Sequence, residues 1–185
     1  MKTFQHAGLT IKIKQDEDAP NPRKEFDHFG KMVCWHSRYN LGDEKPFKYS
    51  QDFIDWWEEN GKGGILLPLY LYDHSGITMS CAPFSCPWDS GQVGCIYATA
   101  SMIREEYGKR ITKSVREKAT KLLRGEVEEY DQYLTGDVYG FIVEDADGNH
   151  LDSCWGFFGL EYCEQEAKQS ADYAATHMLA TANEI

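Results

Sequence analysis

The alternation Leu9-Thr10-Ile11-Lys12-Ile13-Lys14 marks a half-buried β-strand. Lys31–His36 predicts a second strand, with Cys34 and His36 two apart and hence on one face. Ile65–Tyr72 is the longest apolar run. It is far short of the roughly 20 apolar residues that span a bilayer. Its aromatics and bordering glycines predict a strand buried on both faces. Pro68 cannot donate to a ladder, so a bulge or an edge covered by another element is expected there. Asp73–Gly76 reads as a turn and Ile77–Ser80 as the returning arm, with Gly91–Ala98 a further strand. Val138–Asp145 and His150–Phe157 predict a hairpin with Asp147-Gly148 in a type I′ turn. The apolar stretch Cys154–Phe158 places that hairpin in the interior.

Helical spacing takes over elsewhere. Ser50 is the expected N-cap of a helix with Phe53, Ile54, Trp56 and Trp57 on its apolar face, stopped at Asn60-Gly61. Ser101–Tyr107 predicts a short helix, and Ser114 with Glu117 forms a capping box for another reaching Arg124. Gly125 is expected to interrupt it, leaving Glu126–Leu134 as a separate piece. Glu161–Thr181 is the last helix, with a stripe of Ala167, Ala171, Ala174 and Met178 facing a sheet. Gln15–Phe29 has no period and reads as a long mobile loop. Strict strand–helix alternation is absent, so the expected fold is a single α+β domain over residues 1–185, a mainly antiparallel sheet packed by several helices.

Composition narrows the class. A 185-residue chain that is 42% hydrophobic and 14% aromatic can bury a sizeable core. The start MKTFQHAGLTIKIK lacks the apolar centre of a secretory signal, which makes a cytoplasmic location the expectation. Cysteines at 34, 81, 86, 95, 154 and 163 do not form zinc-site pairs; reduced thiols, no metal and no cofactor are expected. The net charge of −11 is unevenly spread. Residues 101–124 carry eight Lys/Arg against three acids, and residues 126–167 carry twelve acids and no Lys or Arg. Such a surface repels phosphates, so direct nucleic-acid binding is not expected, whereas a basic protein partner fits.

Three chemistries compete. In the first, Glu126, Glu128, Glu129, Asp131, Asp137, Glu144 and Asp145 stand free in solvent and engage a basic partner such as a nucleic-acid-binding nuclease. The second centres on the irregular loop between two core strands, CAPFSCPWDSG. There Trp88 can stack on a small polar or nucleotide-like ligand while Asp89 or Gln92 reads a polar edge, with Asp73 and His74 in the neighbouring turn. The third uses Cys81 or Cys86 as nucleophile with His74 as base, or the pair Cys34 and His36. A metal site of His74, Asp73 and Asp89 lacks a known ligand spacing. No GxSxG, GxGxxG or P-loop pattern occurs, and no residue is assigned a catalytic role.

The segments LPLYLYDHSGITMS, FSCPWDSGQVG and YDQYLTGDVYGF resemble a family of small acidic proteins carried by phages and other mobile elements of gut bacteria. The resemblance covers Met32 to Phe158. It implies an anti-defence setting, of which anti-CRISPR and antirestriction proteins are examples, and it carries over no catalytic residues. The leading expectation is therefore a non-enzymatic inhibitor of a nucleic-acid-directed defence complex acting through its acids. A small-molecule binder or sponge for a signalling nucleotide is the alternative, and a cysteine-dependent hydrolase or transferase the third.

Overall fold

A computed structural model describes residues 1–43 and 46–182, the side chains of 178–182 excepted. The fold is α+β and antiparallel throughout, but it contains two four-stranded sheets. Two compact units hold one sheet each: Asn21–Thr135, and Met1–Pro20 together with the chain from Gly136 onward.

In the latter unit the strand order is β1 (Lys2–His6), β2 (Leu9–Gln15), β7 (Val138–Glu144), β8 (His150–Phe158). β2 lies as its alternation requires, with Leu9, Ile11 and Ile13 buried. Helix α5 (Leu160–Ala182) covers that face, where Cys163, Ala167 and Ala171 are wholly buried. Small side chains let the helix axis approach the strands closely, which is why the alanine stripe faces the sheet; the side chain of Met178 lies outside the described residues. β8 corrects the expectation of an interior hairpin. It is an edge strand, and Asp152–Trp155 are exposed. The Trp155 ring fills the space over Gly140, where any Cβ would collide with it. The hairpin turn also differs from the expected two-residue form: the Gly148 N–H donates to the Asp145 carbonyl at 3.2 Å, and only Gly148 takes a positive φ, +84°.

In the unit Asn21–Thr135 the order is β3 (Lys31–Cys34), β6 (Ser90–Ala98), β4 (Ile65–Asp73), β5 (Ile77–Ser80). Both faces of this sheet are covered. On one lie α3 (Ala100–Tyr107) and α4 (Lys113–Thr135), packing Ile103, Ala119, Leu123, Val127 and Tyr130 against Met32, Leu69, Leu71 and Ile96. On the other, α2 (Ser50–Asn60) brings Phe53, Trp56 and Trp57 onto Val33, Cys95 and Tyr97. Pro68 is accommodated at an edge, because β5 pairs only with Tyr70–Asp73 and leaves Ile65–Leu69 flanked by β6 alone. Ile65, Leu69 and Leu71 lie in the core of this sheet and Phe141 and Val143 in that of the other, but Leu66 is exposed, which corrects the expectation that Ile65–Tyr72 is buried on both faces.

Two helical expectations need correction. Gly125 does not divide α4, which runs unbroken for 23 residues. The buried stripe Ala119, Leu123, Val127, Tyr130 crosses it without a change of phase, and burial of those side chains outweighs the roughly 1 kcal/mol that a mid-helix glycine costs. Thr112 rather than Ser114 caps its start, its hydroxyl accepting the Val115 N–H at 3.3 Å. Nor is Gln15–Phe29 a mobile loop. It contains α1 (Pro22–Glu25), whose Arg23 is buried. Arg23 Nε and Nη2 donate to the two Asp43 carboxylate oxygens at 2.7 and 2.8 Å, and Nη1 donates to Glu126 Oε2 at 2.9 Å. Burial alone would lower the Arg23 pKa; hydrogen bonds and charge from Asp43 and then Glu126 outweigh it and raise the pKa.

Candidate ligand cleft on one face of the unit Asn21–Thr135

β3 pairs with β6 only through Cys34, opposite Gly94. One further bond follows, from the Trp35 N–H to the Val93 carbonyl at 2.7 Å, and the chain then leaves the sheet. Beyond this point the two segments diverge and a cleft of about 460 Å³ opens between them. Trp35, His36 and Arg38 form one wall, and Asp89, Gln92 and Val93 part of the other, with Asp73 and Trp88 also in the lining. The β4–β6 register passes from Leu69–Gly94 to Tyr70–Gln92, so Val93 is a bulge residue. A bulge bends its strand and re-aims the neighbouring side chains, here at the mouth of the cleft.

The polar groups are held in place by one another. The Asp73 carboxylate pairs with Arg38 and accepts the Tyr39 hydroxyl at 3.2 Å. Its backbone N–H donates to the Asp89 carbonyl at 2.8 Å, tying the turn to the loop. His74 Nδ1 lies 3.2 Å from Asp89 Oδ2, and the Cys86 thiol donates to the same oxygen at 3.8 Å. His36 Nδ1 accepts the N–H groups of Arg38 and Tyr39, both at 3.2 Å, and its ring stacks on Tyr39 at 5.0 Å. Trp88 stands apart from this network, 92% exposed at the loop tip.

Asp73, His74, Trp88, Asp89 and Gln92 are therefore brought together. Four of them line the cleft, and His74 braces Asp89. His36 and Arg38 were missed as part of it. Their spacing follows no motif, and they reach the cleft only because β3 ends at Cys34.

The acidic set behaves differently. Glu126 is 5% exposed and spends its carboxylate on Arg23 and on the N–H groups of Phe29 and Gly30. Asp131 Oδ1 accepts the Thr78 hydroxyl and the Met79 N–H, both at 2.6 Å, fixing β5 to α4. Glu144 pairs with Lys12 at 2.6 Å. Asp145 accepts from Asn149 Nδ2 and from the N–H groups of Asn149 and Asp147 inside its turn, and these bonds hold its carboxyl below the usual carboxylate range. Burial, and then the neighbouring Asp137, raise the pKa of Tyr139. Glu128 is exposed and Glu129 half-buried. The expectation that these seven acids stand free as one surface is thus corrected: Glu126, Asp131, Glu144 and Asp145 build local structure. Glu126, Glu128, Glu129 and Asp131 belong to one unit and Asp137, Glu144 and Asp145 to the other.

The cysteines differ among themselves in placement. Cys34 is buried in the core at 1% exposure, whereas His36 lies past the end of the strand. Burial pushes the Cys81 thiol up, against a smaller opposing effect of Arg124. Cys86 and His74 meet at Asp89 Oδ2, the thiol donating at 3.8 Å and His74 Nδ1 lying at 3.2 Å. No two cysteines are joined by a disulfide. Among the described residues no group of three or more His, Cys, Asp or Glu side chains is placed to hold a metal ion. No helix among them is long and apolar enough to cross a membrane. No protein-family model matches the chain, no curated protein is significantly similar to it in sequence, and no solved structure matches its fold.

Proposed function

We propose that the protein binds a small, planar, polar ligand of low charge, a nucleobase-bearing molecule, in the cleft beside Trp88. The observation that carries this reading is the 92% exposed indole at the lip of a concave polar site. An aromatic plate left in water next to prearranged hydrogen-bonding groups suits a ligand with one π-face and a polar edge. Asp89 and Gln92 line the cleft and would bond that edge in this reading. Charge limits the class further. Among the described residues Arg38 is the only Lys or Arg in the cleft lining, and it is already paired with Asp73. A ligand with several phosphates would meet two carboxylates and one engaged guanidinium, so a nucleoside or a singly charged nucleotide is favoured over a triphosphate. This reading keeps the sponge alternative and sets aside the acidic-surface inhibitor, four of whose seven residues have structural tasks.

The test is calorimetric titration and thermal-shift measurement with adenosine, guanosine, cytidine and uridine, their monophosphates and their triphosphates. Stacking contributes about 1–3 kcal/mol per base, so Trp88→Ala should weaken binding roughly 5- to 150-fold. Because Trp88 is almost wholly exposed, the same change should leave unfolding stability within about 0.5 kcal/mol of wild type. Triphosphates binding more tightly than nucleosides, or unchanged affinity in Trp88→Ala, would count against the proposal.

A further inference from the structure

A second cleft, of about 370 Å³, opens on the same stretch of β6. Its lining is mainly apolar, with Phe53 and Ile54 from α2, Leu66 from β4 and Val93 from the bulge. Trp35, Gln92 and Val93 line both clefts, so the two meet at the bulge with the Trp35 side chain at the join. Two observations make this more than a dent in the surface. Ile54 and Leu66 leave 45% and 41% of their area in water, side by side in a concavity that would cover them if it were filled. Trp35 Nε1 is buried yet has no hydrogen-bond partner among the described residues. Buried donors are nearly always paired, so this one is an exception carried by a side chain that lines both clefts.

We infer that the apolar cleft is the second subsite of one elongated ligand site. It takes an aromatic or branched aliphatic group carried by the planar polar group that stacks at Trp88. The inference rests on the reading of the polar cleft given above and names the ligand class more closely: a low-charge nucleobase derivative with an apolar substituent. Together the two clefts reach the size of sites that enclose larger organic ligands. A ligand confined to the polar cleft would leave Ile54 and Leu66 wet, and a purely apolar one would leave Asp73, Asp89 and Gln92 unused.

The experiment compares adenosine and cytidine with N6-benzyladenosine and N4-benzylcytidine by calorimetric titration on the wild-type protein. At least one benzylated nucleoside should bind roughly tenfold or more tightly than its parent, as burying a phenyl group in an apolar cleft requires. In the double variant Ile54→Ser, Leu66→Ser the gain should vanish while the parent nucleoside binds as before. Both positions are substantially exposed, and a thermal melt checks that the variant folds; the wild-type comparison needs no variant. Parent and benzylated forms binding equally, or a gain that survives in the double variant, overturns the subsite and leaves the polar cleft standing. Binding by none of the four refutes the reading of the polar cleft, and the subsite falls with it.

Discussion

Replacing Glu126 by alanine removes the acceptor for three donors at once. Arg23 Nη1 lies 2.9 Å from Oε2, and the Phe29 and Gly30 N–H groups lie 2.8 and 3.0 Å from Oε1. The side chains of Arg23 and Glu126 are 1% and 6% exposed, so water cannot substitute for the lost carboxylate without opening the structure. Breaking a buried ion pair from one side costs about 3–5 kcal/mol. Asp43 still holds Arg23 through two bonds, which moves that figure toward its lower end. Against this, each backbone donor left unpaired adds about 1–3 kcal/mol. A net loss of at least about 5 kcal/mol is expected, a large share of the roughly 5–15 kcal/mol typical of a domain. Urea unfolding followed by far-ultraviolet circular dichroism measures it; with a slope near 2 kcal/mol per molar, the midpoint should fall by about 2.5 M. Glu126→Gln should lose less, since it keeps an acceptor for the two amides. Glu128→Ala, at an exposed position on the same helix, should change stability by no more than about 0.5 kcal/mol. If Glu126→Ala unfolded within 1 kcal/mol of wild type, on the scale of an ordinary surface change, the account of the Arg23 network would be wrong.

Gly94→Ala should destabilise the protein and disturb ligand binding together, because a Cβ there collides with the Val33 carbonyl and can be relieved only by moving β3 away from β6; an unchanged melting temperature would contradict this. Cys154, exposed on the edge strand, should react with iodoacetamide at pH 8 well before the buried Cys34, Cys95 and Cys163, and mass mapping of the alkylated protein reads the order. Alkaline stability should reflect Cys95, whose thiol burial pushes up to about 12 from an ordinary 9.0. The folded state keeps this proton while the unfolded chain loses it, so the contribution is fully present below pH 9 and declines toward pH 12. Cys95→Ala should flatten that part of the stability profile, and an equally steep profile in the variant would rule Cys95 out as its source.

What could be read from the sequence followed the range of the interaction. β2, the β4–β5 hairpin, α2 and α5 are each specified by a local period, and each is found within a residue or two of its expected bounds. β1 was missed because only Phe4 gives Lys2–His6 an apolar signal; its pairing with β2 holds it in place. Gly125 misled for the opposite reason: a local breaker was overruled by a stripe of core contacts along the helix. The loop at Trp88 could be found because prolines, glycines and a tryptophan between two apolar strands form a local pattern. Arg38 and His36 could not, since their place in the cleft depends on where β3 parts from β6. Least legible was the difference between an acid in solvent and an acid at work inside the fold. Glu126 and Glu128 look alike in the chain, and only the distant Arg23 and Gly30 separate them.

The ion pair between Arg23 and Glu126 also bears on the order of assembly. Residues Asn21–Thr135 interrupt the other unit between β2 and β7, strands that must pair. Closing a flexible loop of that length costs about 4 kcal/mol in chain entropy. Arg23 lies near the entrance of the inserted unit and Glu126 near its exit, and their bond at 2.9 Å joins the two ends. Once the inserted unit has folded, the segment that β2 and β7 must bridge shrinks to residues 16–22 and 127–137 on either side of this clasp. The insertion then acts as a rigid short connection instead of a long tether, so loss of Glu126 should slow the folding of a sheet to which it does not belong.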